Sequence, residues 1–298
     1  MANLKEVRER IVSVKSTQQI TKAMKMVAAA KLRRAQQAIV EMRPYSNKLS
    51  AMLSNILSNL EGDASTSFGV ERPVKNALVV VVTSNRGLCG GFNTNVSKLG
   101  LELSESKYAE EYKAGKLTYL FIGKKGYDYL KNRVPGAILN TEHMNIVTKT
   151  FGFEDSSRVA SELMTAFEAE EYDSIDIVYA QFKNAAIQNF TVEPFLPVAK
   201  LEVTEENTDE KADFIFEPNK EELLEYLVPT ILKTQLHKTI LDSNASEQGA
   251  RMTAMENATE NAEDLLKELK INYNKARQEA ITAEISEIVG GVAALEDA

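Results

Sequence analysis

Cysteine, tryptophan and histidine are scarce in this chain. Its 298 residues include one Cys, no Trp and two His. A single cysteine excludes a disulfide framework and favours a reducing compartment. With so few His and Cys side chains, a zinc or iron site is not expected. No run of about 18 apolar residues occurs, so a membrane-spanning helix is not expected. The first residues lack the apolar core and cleavage site of a signal peptide, so none is expected.

Glycine and proline are absent from 1–43 and from 250–289, two long stretches near the chain ends. In the first stretch and beyond it, residues spaced by three and four form a seam: Leu4, Val7, Ile11, Val14, Gln18, Thr21, Lys25, Ala28, Leu32, Ala35, Ile39, Met42, Ser46, Leu49, Leu53, Ile56 and Leu60. A second seam lies in the C-terminal part: Leu227, Ile231, Thr234, Lys238, Leu241, Ala245, Gln248, Met252, Met255, Thr259, Ala262, Leu266, Leu269, Tyr273, Ala276, Ala280 and Ala283. Such spacing predicts two helices that pair as a coiled coil.

Both helices attach to one folded middle region, and this predicts an antiparallel pair. We expect an N-terminal helix from Asn3 to Leu60, kinked at Pro44, and a C-terminal helix from Lys220, bent at Pro229. From the rise of about 1.5 Å per residue, the C-terminal helix should project beyond the other by roughly 15–30 Å. Its projecting end is small and apolar, which implies a socket in another protein.

The charge is unevenly distributed. Residues 1–48 hold eleven Lys and Arg against three Glu, a net charge of +8, whereas the whole chain carries −8. A solvated helix surface explains this charge, and an acidic protein partner around the helix is the alternative. Nucleic acid is not expected as a partner, because no aromatic residues are interleaved and no binding motif is present.

The middle region alternates strands and helices, which predicts an α/β domain whose sheet contains parallel strands. The predicted strands are 77–83, 117–122, 145–150, 174–181 and 188–197. One predicted helical stretch follows the first strand and ends near Lys113. Two further predicted helices span 124–132 and 157–170. Three domains follow: a coiled-coil helix at 1–60, the α/β domain at 61–219, and the second coiled-coil helix at 220–298.

Glycines follow the first strand in the sequence TSNRGLCGGFN, at 83–93. A glycine loop in this position can bind phosphate at a helix N-terminus. The spacing fits neither dinucleotide-binding nor Walker patterns, and no Lys-Ser/Thr pair follows. A structural turn is therefore the simpler interpretation. No cofactor and no metal are expected, and neither His143 nor His237 lies near Cys89 in sequence to activate it as a nucleophile.

Gln18, Thr21 and Lys25 place polar side chains at consecutive positions of the N-terminal seam. A second stripe beside them, formed by Ile20, Met24 and Val27, faces away from the seam. Either the coiled coil is loosened here, or this segment faces another protein. Periodicity does not decide between the two.

Four segments resemble the gamma subunit family of bacterial-type F-type ATP synthases. They are ITKAMKMVAAAKLRRAQ at 20–37 with RPY at 43–45, TSNRGLCGGFN at 83–93, SEQGARMTAMENATENAEDL at 246–265, and the terminal NKARQEAITAEISEIVGGVAAL. The resemblance implies a long antiparallel coiled coil with a central Rossmann-like α/β domain and a mixed sheet. It also implies a non-catalytic rotor, one copy per complex, that couples ion transport through the membrane to ATP synthesis or hydrolysis.

The partners implied by the resemblance are the alpha and beta subunits of the catalytic head, the epsilon subunit and the ring of c subunits. The location implied is the cytoplasmic side of a bacterial plasma membrane, as a peripheral part of the complex. Positions that match the family's contacts with the head are Lys22, Met24, Lys25, Val27, Arg251, Arg277, Gln278 and Thr282. The projecting apolar end adds Ile285 and Ile288 to these expected contacts.

Two other functions are compatible with parts of this pattern. An enzyme or nucleotide-binding module with helical arms would need a phosphate-binding loop, and nucleotide titration of the isolated chain would test it. A static coiled-coil scaffold would have tight helix contacts and a blunt end rather than a projecting one.

Overall fold

The computed structural model describes residues 4–58, 67–147, 151–198 and 220–296. Two long helices enclose the other elements in sequence: α1 at Leu4–Ser58 and α6 at Lys220–Glu296. Between them are a short 3-10 helix at Ser67–Gly69 and helices α2 at Phe92–Glu105, α3 at Ala109–Lys113, α4 at Lys124–Leu130 and α5 at Phe153–Glu168. The five strands are β1 at Ala77–Val82, β2 at Leu117–Ile122, β3 at Ile138–Asn140, β4 at Ser174–Phe182 and β5 at Gln188–Leu196.

The strands form one mixed sheet in the order β3-β2-β1-β4-β5. β1 pairs in parallel with both β2 and β4, β2 pairs in parallel with β3, and β5 is antiparallel to β4. All six residues of β1 and of β2 are buried, as expected for strands covered on both faces. The predicted fold class, an α/β fold with long terminal helices and a mixed sheet, is confirmed.

The two faces of the sheet support two cores. One face packs α5 and the first turns of α6 against the sheet, with Leu232, Leu236 and Phe167 at its centre. The other face packs α2 and α4, with Phe92, Val96 and Leu130. The aliphatic β-branched composition of β1 suits this double burial, because Val side chains fill both faces without polar atoms.

One predicted strand is wrong. Residues 145–147 form part of a turn, and 148–150 lie outside the described residues. The third strand is β3, whose residues Ile138–Asn140 pair with Thr118–Leu120 of β2. β3 has only three residues and gains its strand conformation from pairing with its neighbour, so the local sequence gives little signal for it.

Other boundaries shift by a few residues. α5 begins at Phe153 rather than Ser157, because the Asp155 carboxylate accepts a hydrogen bond from the Gly152 amide at 3.2 Å and caps the first turn. The polar stretch before Lys113 forms two helices, α2 and α3, instead of one. Pro44 and Pro229 both lie inside continuous helices. The acidic segment 204–219 lies outside the described residues.

The chain divides into two compact units. The α/β unit comprises Ala29–Arg251, and the helix-pair unit comprises Met1–Ala28 with Met252–Ala298. Within the helix-pair unit, Thr21 Oγ1 and Thr259 Oγ1 lie 2.8 Å apart and Lys25 forms an ion pair with Glu256. As the residue number rises along α1, the number of the contacting residue on α6 falls. The two segments therefore run antiparallel.

The predicted seams agree with the burial of their residues. Every described α1 seam position from Leu4 to Leu49 is buried or half-buried, and the same holds for α6 from Leu227 to Ala276. Ala280 and Ala283, the last two positions of the C-terminal seam, are exposed. The seam therefore ends at Ala276. None of the described helices is long and apolar enough to cross a membrane.

Candidate functional site

The end of α6 is a helix without a packing partner among the described residues. Every described side chain from Arg277 to Val292 is exposed, including five large apolar ones. These are Ile281, Ile285, Ile288, Val289 and Val292. At about 1.5 Å per residue the exposed segment is roughly 24 Å long, within the length expected for the projecting end.

These apolar residues share one face with polar neighbours at the base of the segment. Gln278, Ile281, Ile285, Ile288 and Val292 follow one another at spacings of three and four, which places them along one side of the helix. Arg277 and Thr282 flank this ladder, and both are exposed. The Thr282 hydroxyl donates to the Gln278 carbonyl at 2.9 Å, a hydrogen bond within the helix. Of Arg277, Gln278 and Thr282, the threonine side chain is therefore held by its own helix. We name the segment 277–292 the tip.

The polar interruption of the N-terminal seam brings four expected contact residues to one region of the helix-pair unit. Lys22 and Val27 are exposed, and Met24 and Lys25 are half-buried. Lys22 and Lys25 line a groove of about 400 Å³, which is lined on the α6 side by Glu256, Thr259, Glu260 and Glu263. Acidic side chains of α6 thus oppose the lysines of α1 across this groove.

Lys25 has a different environment from the one expected for a contact with another subunit. Its ammonium group pairs with the Glu256 carboxylate of the same chain, and both side chains stay partly exposed. An ion pair of this exposure contributes about 0.2–1 kcal/mol. Such a contact is weak enough to exchange for another carboxylate. Both interpretations of the polar seam, a loosened coiled coil and a surface for another protein, are compatible with this geometry.

Arg251 is the expected contact residue that lies deepest. Its side chain is 12% exposed and forms an ion pair with Glu247, one helical turn earlier, at 2.6 Å. Its second terminal guanidinium nitrogen, Nη2, donates to the carbonyls of Arg86 and Gly87 at 3.0 and 3.2 Å. Burial raises the pKa of Glu247, and the charge and hydrogen bond of Arg251 oppose that rise. Arg251 therefore joins α6 to the glycine loop.

We name residues 83–91, between β1 and α2, the Cys89 loop. Asn93 fixes its two ends: its Oδ1 accepts from the Ser84 amide at 3.0 Å, and its Nδ2 donates to Cys89 Sγ at 3.1 Å. The Ser84 hydroxyl donates to the Arg86 carbonyl at 2.6 Å. Cys89 is buried, and that burial raises the pKa of its thiol. These polar groups of the loop form hydrogen bonds with one another or with Asn93, as expected for a structural turn.

α6 passes the carboxyl ends of β1 and β4 beside this loop. Ser243 and Ser246 donate their hydroxyls to the carbonyls of Val82 and Ala180, at the ends of β1 and β4. At Gly249 a Cβ atom would lie 3.1 Å from the Ala185 carbonyl oxygen, in the turn between β4 and β5. The glycine thus permits close packing of the helix on that turn.

Sequence reasoning missed two features of this region. It found neither the Glu247–Arg251 pair as a link to the Cys89 loop nor Leu88, whose side chain is 65% exposed. Leu88 has a φ of +66°, a left-handed conformation that is rare for leucine. The motif SEQGARM contains the ion pair at a spacing of four, but its link to Arg86, 165 residues earlier, has no sequence signal.

Among the described residues there is no group of three or more His, Cys, Asp or Glu side chains placed to bind a metal ion. His237 is a packing residue: its ring stacks on Phe151 and accepts or donates a hydrogen bond with Ser156 at 2.8 Å. Burial lowers the pKa of His237.

Comparison with known proteins identifies the family. A family model described as ATP synthase matches residues 3–295. An ATP synthase gamma chain of Cytophaga hutchinsonii is 49% identical, with 100% of each chain covered. That of Flavobacterium johnsoniae is 51% identical with 99% of each chain covered, and that of Geobacter is 44% identical with 98% covered.

Solved structures agree with these relatives. A chain of the Euglena gracilis mitochondrial ATP synthase, in an assembly of OSCP, F1 and c-ring, is 26% identical with a TM-score of 0.69, over 98% of this chain and 94% of that one. A chain of the Tetrahymena thermophila mitochondrial ATP synthase, from its central stalk and c-ring, is 26% identical with a TM-score of 0.53, over 80% and 99%. The chain described here therefore belongs to the ATP synthase gamma chain family, as a non-catalytic subunit of the central stalk.

Proposed function

We propose that this chain is the rotating shaft of its ATP synthase, which couples ion flow through the membrane to ATP synthesis or hydrolysis in the catalytic head. The observation that carries the proposal is the tip. A helix that leaves its partner and exposes five large apolar side chains to water needs an apolar enclosure. The alpha and beta subunits of the head are the proposed source of that enclosure.

The tip suits a bearing rather than a fixed joint. Its apolar face is built from Ile and Val side chains, which form non-directional contacts whose energy depends on the area removed from water. Such contacts change little when the helix turns about its axis. The polar residues Arg277, Gln278 and Thr282 lie at the base of the tip, where we propose that they meet the beta subunits.

The basic surface of α1 suits contacts that form and break. Lys22 is exposed, and Lys25 has only a partly exposed ion pair within its own chain. Exposed ion pairs are weak and screened by salt, so they can exchange as different beta subunits pass. Met24 and Val27 lie beside these lysines and would add apolar contact at the same place.

Asymmetry connects rotation to nucleotide affinity. A single helix pair inside a ring of three beta subunits presents a different side to each of them. Each subunit then takes a different conformation, because differential contacts shift its conformational equilibrium. Rotation by a third of a turn would exchange these states among the three sites.

The remaining partners belong to the α/β unit. We propose that it binds the epsilon subunit and stands on the ring of c subunits, one copy per complex, as part of F1 on the cytoplasmic side of a bacterial membrane. The solved relatives support this arrangement, since one comes from a central stalk with its c-ring.

Direct observation of rotation tests the proposal. Heads assembled with this chain are fixed to a surface, and a bead is attached through Glu110→Cys, an exposed position at the start of α3, in a Cys89→Ser background. ATP should drive rotation in one direction in steps of a third of a turn. Heads that hydrolyse ATP while the bead stays still would instead support a static scaffold.

A further inference from the structure

We propose that Gln235 and His237 lock α6 against rotation about its own axis within the α/β unit, so that torque passes from this unit into the helix. The inference rests on the proposed function and deepens it, because it names the joint through which the shaft is driven. It also gives His237 a role beyond packing. Both side chains act as positioning residues.

A shaft that turns inside a bearing must be fixed where it is driven. α6 begins in the α/β unit and continues in sequence into the helix-pair unit, so torque applied to the α/β unit can reach the tip along this helix. Apolar contacts are non-directional and set the rotation of a helix only weakly. Hydrogen bonds depend on direction, so bonds made from different sides of a helix define its rotational setting.

The Gln235 side chain binds the sheet on one side of α6. Its Nε2 donates to Glu193 Oε1 at 2.7 Å and to the Pro194 carbonyl at 3.3 Å, both on β5. The other carboxylate oxygen of Glu193 accepts from the Tyr179 hydroxyl of β4 at 2.6 Å. Because Tyr179 holds the carboxylate in place, Glu193 offers Gln235 a fixed acceptor.

The His237 side chain binds α5 on the opposite side. Residues two apart on an α-helix point about 200° apart, so Gln235 and His237 leave α6 in nearly opposite directions. The His237 ring stacks on Phe151 with centroids 5.2 Å apart and lies nearly perpendicular to Phe153 at 5.4 Å. The Ser156 hydroxyl donates to the Phe153 carbonyl at 2.9 Å, so His237 Nδ1 is the donor in the 2.8 Å bond to Ser156.

The side chain between these two residues points into the core. Leu236 is fully buried against the sheet, and on the helix it projects about midway between Gln235 and His237. α6 is therefore packed at its centre and held by hydrogen bonds on both flanks. Turning the helix in either direction would draw a donor away from its acceptor. Further along α6, the bonds of Ser243 and Ser246 to the sheet maintain the same setting.

Thr239 provides a reporter for this lock in the isolated chain, because its side chain is fully buried one turn beyond Gln235. In a Cys89→Ser background, Thr239→Cys should react with a thiol reagent only when α6 leaves its place on the sheet. Gln235→Met and Ser156→Ala each remove the bonds on one side of the helix with little change in side-chain size. From the usual contribution of one hydrogen bond, each should speed the labelling about 2- to 10-fold.

Thr230→Val is the matched control on the same helix. It also removes one hydroxyl, but the bond of that hydroxyl to the Tyr226 carbonyl lies within α6 and does not join the helix to a neighbour. Labelling of the reporter in this variant should stay within about twofold of the rate in the unmodified background.

Assembled heads then test whether the lock carries torque. A bead is attached to the α/β unit through Glu110→Cys in the Cys89→Ser background, and the head is fixed to a surface. When a load stalls rotation, slips of the bead should be about 2- to 10-fold more frequent in Gln235→Met and Ser156→Ala than in Thr230→Val. Without load, the ATPase rates of these heads should be alike, because the lock lies within the α/β unit.

Two results would overturn the inference. One is labelling of the reporter that is no faster in Gln235→Met and Ser156→Ala than in Thr230→Val. The other is an equal slip frequency under load in all heads, while the unmodified chain rotates. Failure of the proposed function gives a different result, since the bead on the unmodified chain would then stay still during ATP hydrolysis, whatever the labelling rates.

Discussion

The Ile288→Asp substitution places a charge in the middle of the tip. In the free chain Ile288 is 62% exposed, so the free energy of unfolding should change by no more than about 0.5 kcal/mol. Inside an apolar enclosure the carboxylate would be buried without a partner, at a cost on the order of 3–5 kcal/mol. Since about 1.4 kcal/mol corresponds to a tenfold change, the affinity for the head should fall roughly 100- to 4,000-fold.

The assay measures binding of the labelled chain to isolated alpha and beta subunits, with thermal unfolding of the same chain as a folding control. Ile271→Asp is the matched variant, because Ile271 lies earlier on α6 and is 68% exposed. It should bind much more tightly than Ile288→Asp. Deletion of 293–298 should also be tolerated better than the charge. If Ile288→Asp binds within about threefold of the unmodified chain, an apolar enclosure around the tip is refuted.

Three further predictions concern other parts of the chain. Lys22→Gln combined with Lys25→Gln should reduce the coupling of ATP hydrolysis to rotation at low salt more than at high salt, because exposed charge contacts are screened. A defect in assembly alone, with normal coupling in assembled heads, would contradict this. Burial raises the pKa of Asp242 from 3.8 to about 6. As pH rises from about 4 to 6, this carboxyl ionises more readily in the unfolded chain than in the folded chain, so the free energy of unfolding falls. Asp242→Asn should therefore raise the free energy of unfolding at pH 8 by up to about 3 kcal/mol, and this gain should disappear below pH 4 in urea titrations; a gain independent of pH would contradict the pKa. Gly123→Ala should destabilise the chain by more than about 4 kcal/mol, since its φ is +109° and the new methyl group would overlap the backbone carbonyl that follows β1. The control Gly290→Ala has open space around it and should stabilise the free chain by about 1 kcal/mol, and similar effects of both changes would contradict this packing.

The sequence predicted those elements whose side chains repeat with a clear period. The two seams persist over many turns. Each seam residue from Leu4 to Leu49 and from Leu227 to Ala276 could therefore be assigned to the packed side of its helix. β1 and β2 were predicted within a residue because each is a continuous apolar run. The exposed tip followed from the difference in length between the two helices.

Features that depend on contacts distant in sequence were not predictable. β3 is a strand because Ile138–Asn140 lie beside β2, and the local sequence at 145–150 has a more strand-like composition. Arg251 was expected at a contact with another subunit because its motif matches the family. Its bonds to the Cys89 loop arise only when α6 crosses the ends of β1 and β4. The residues of this chain that are expected to contact the head stay predictions.

The nucleotide affinity of the three catalytic sites in one head, measured with and without this chain, tests rotary coupling most directly. Without the chain the three sites should bind nucleotide alike, because the ring of alpha and beta subunits is symmetric. With the chain bound, we expect three unequal affinities, because one asymmetric helix pair contacts each beta subunit differently. Three equal affinities in heads that contain the chain would contradict its role as the shaft.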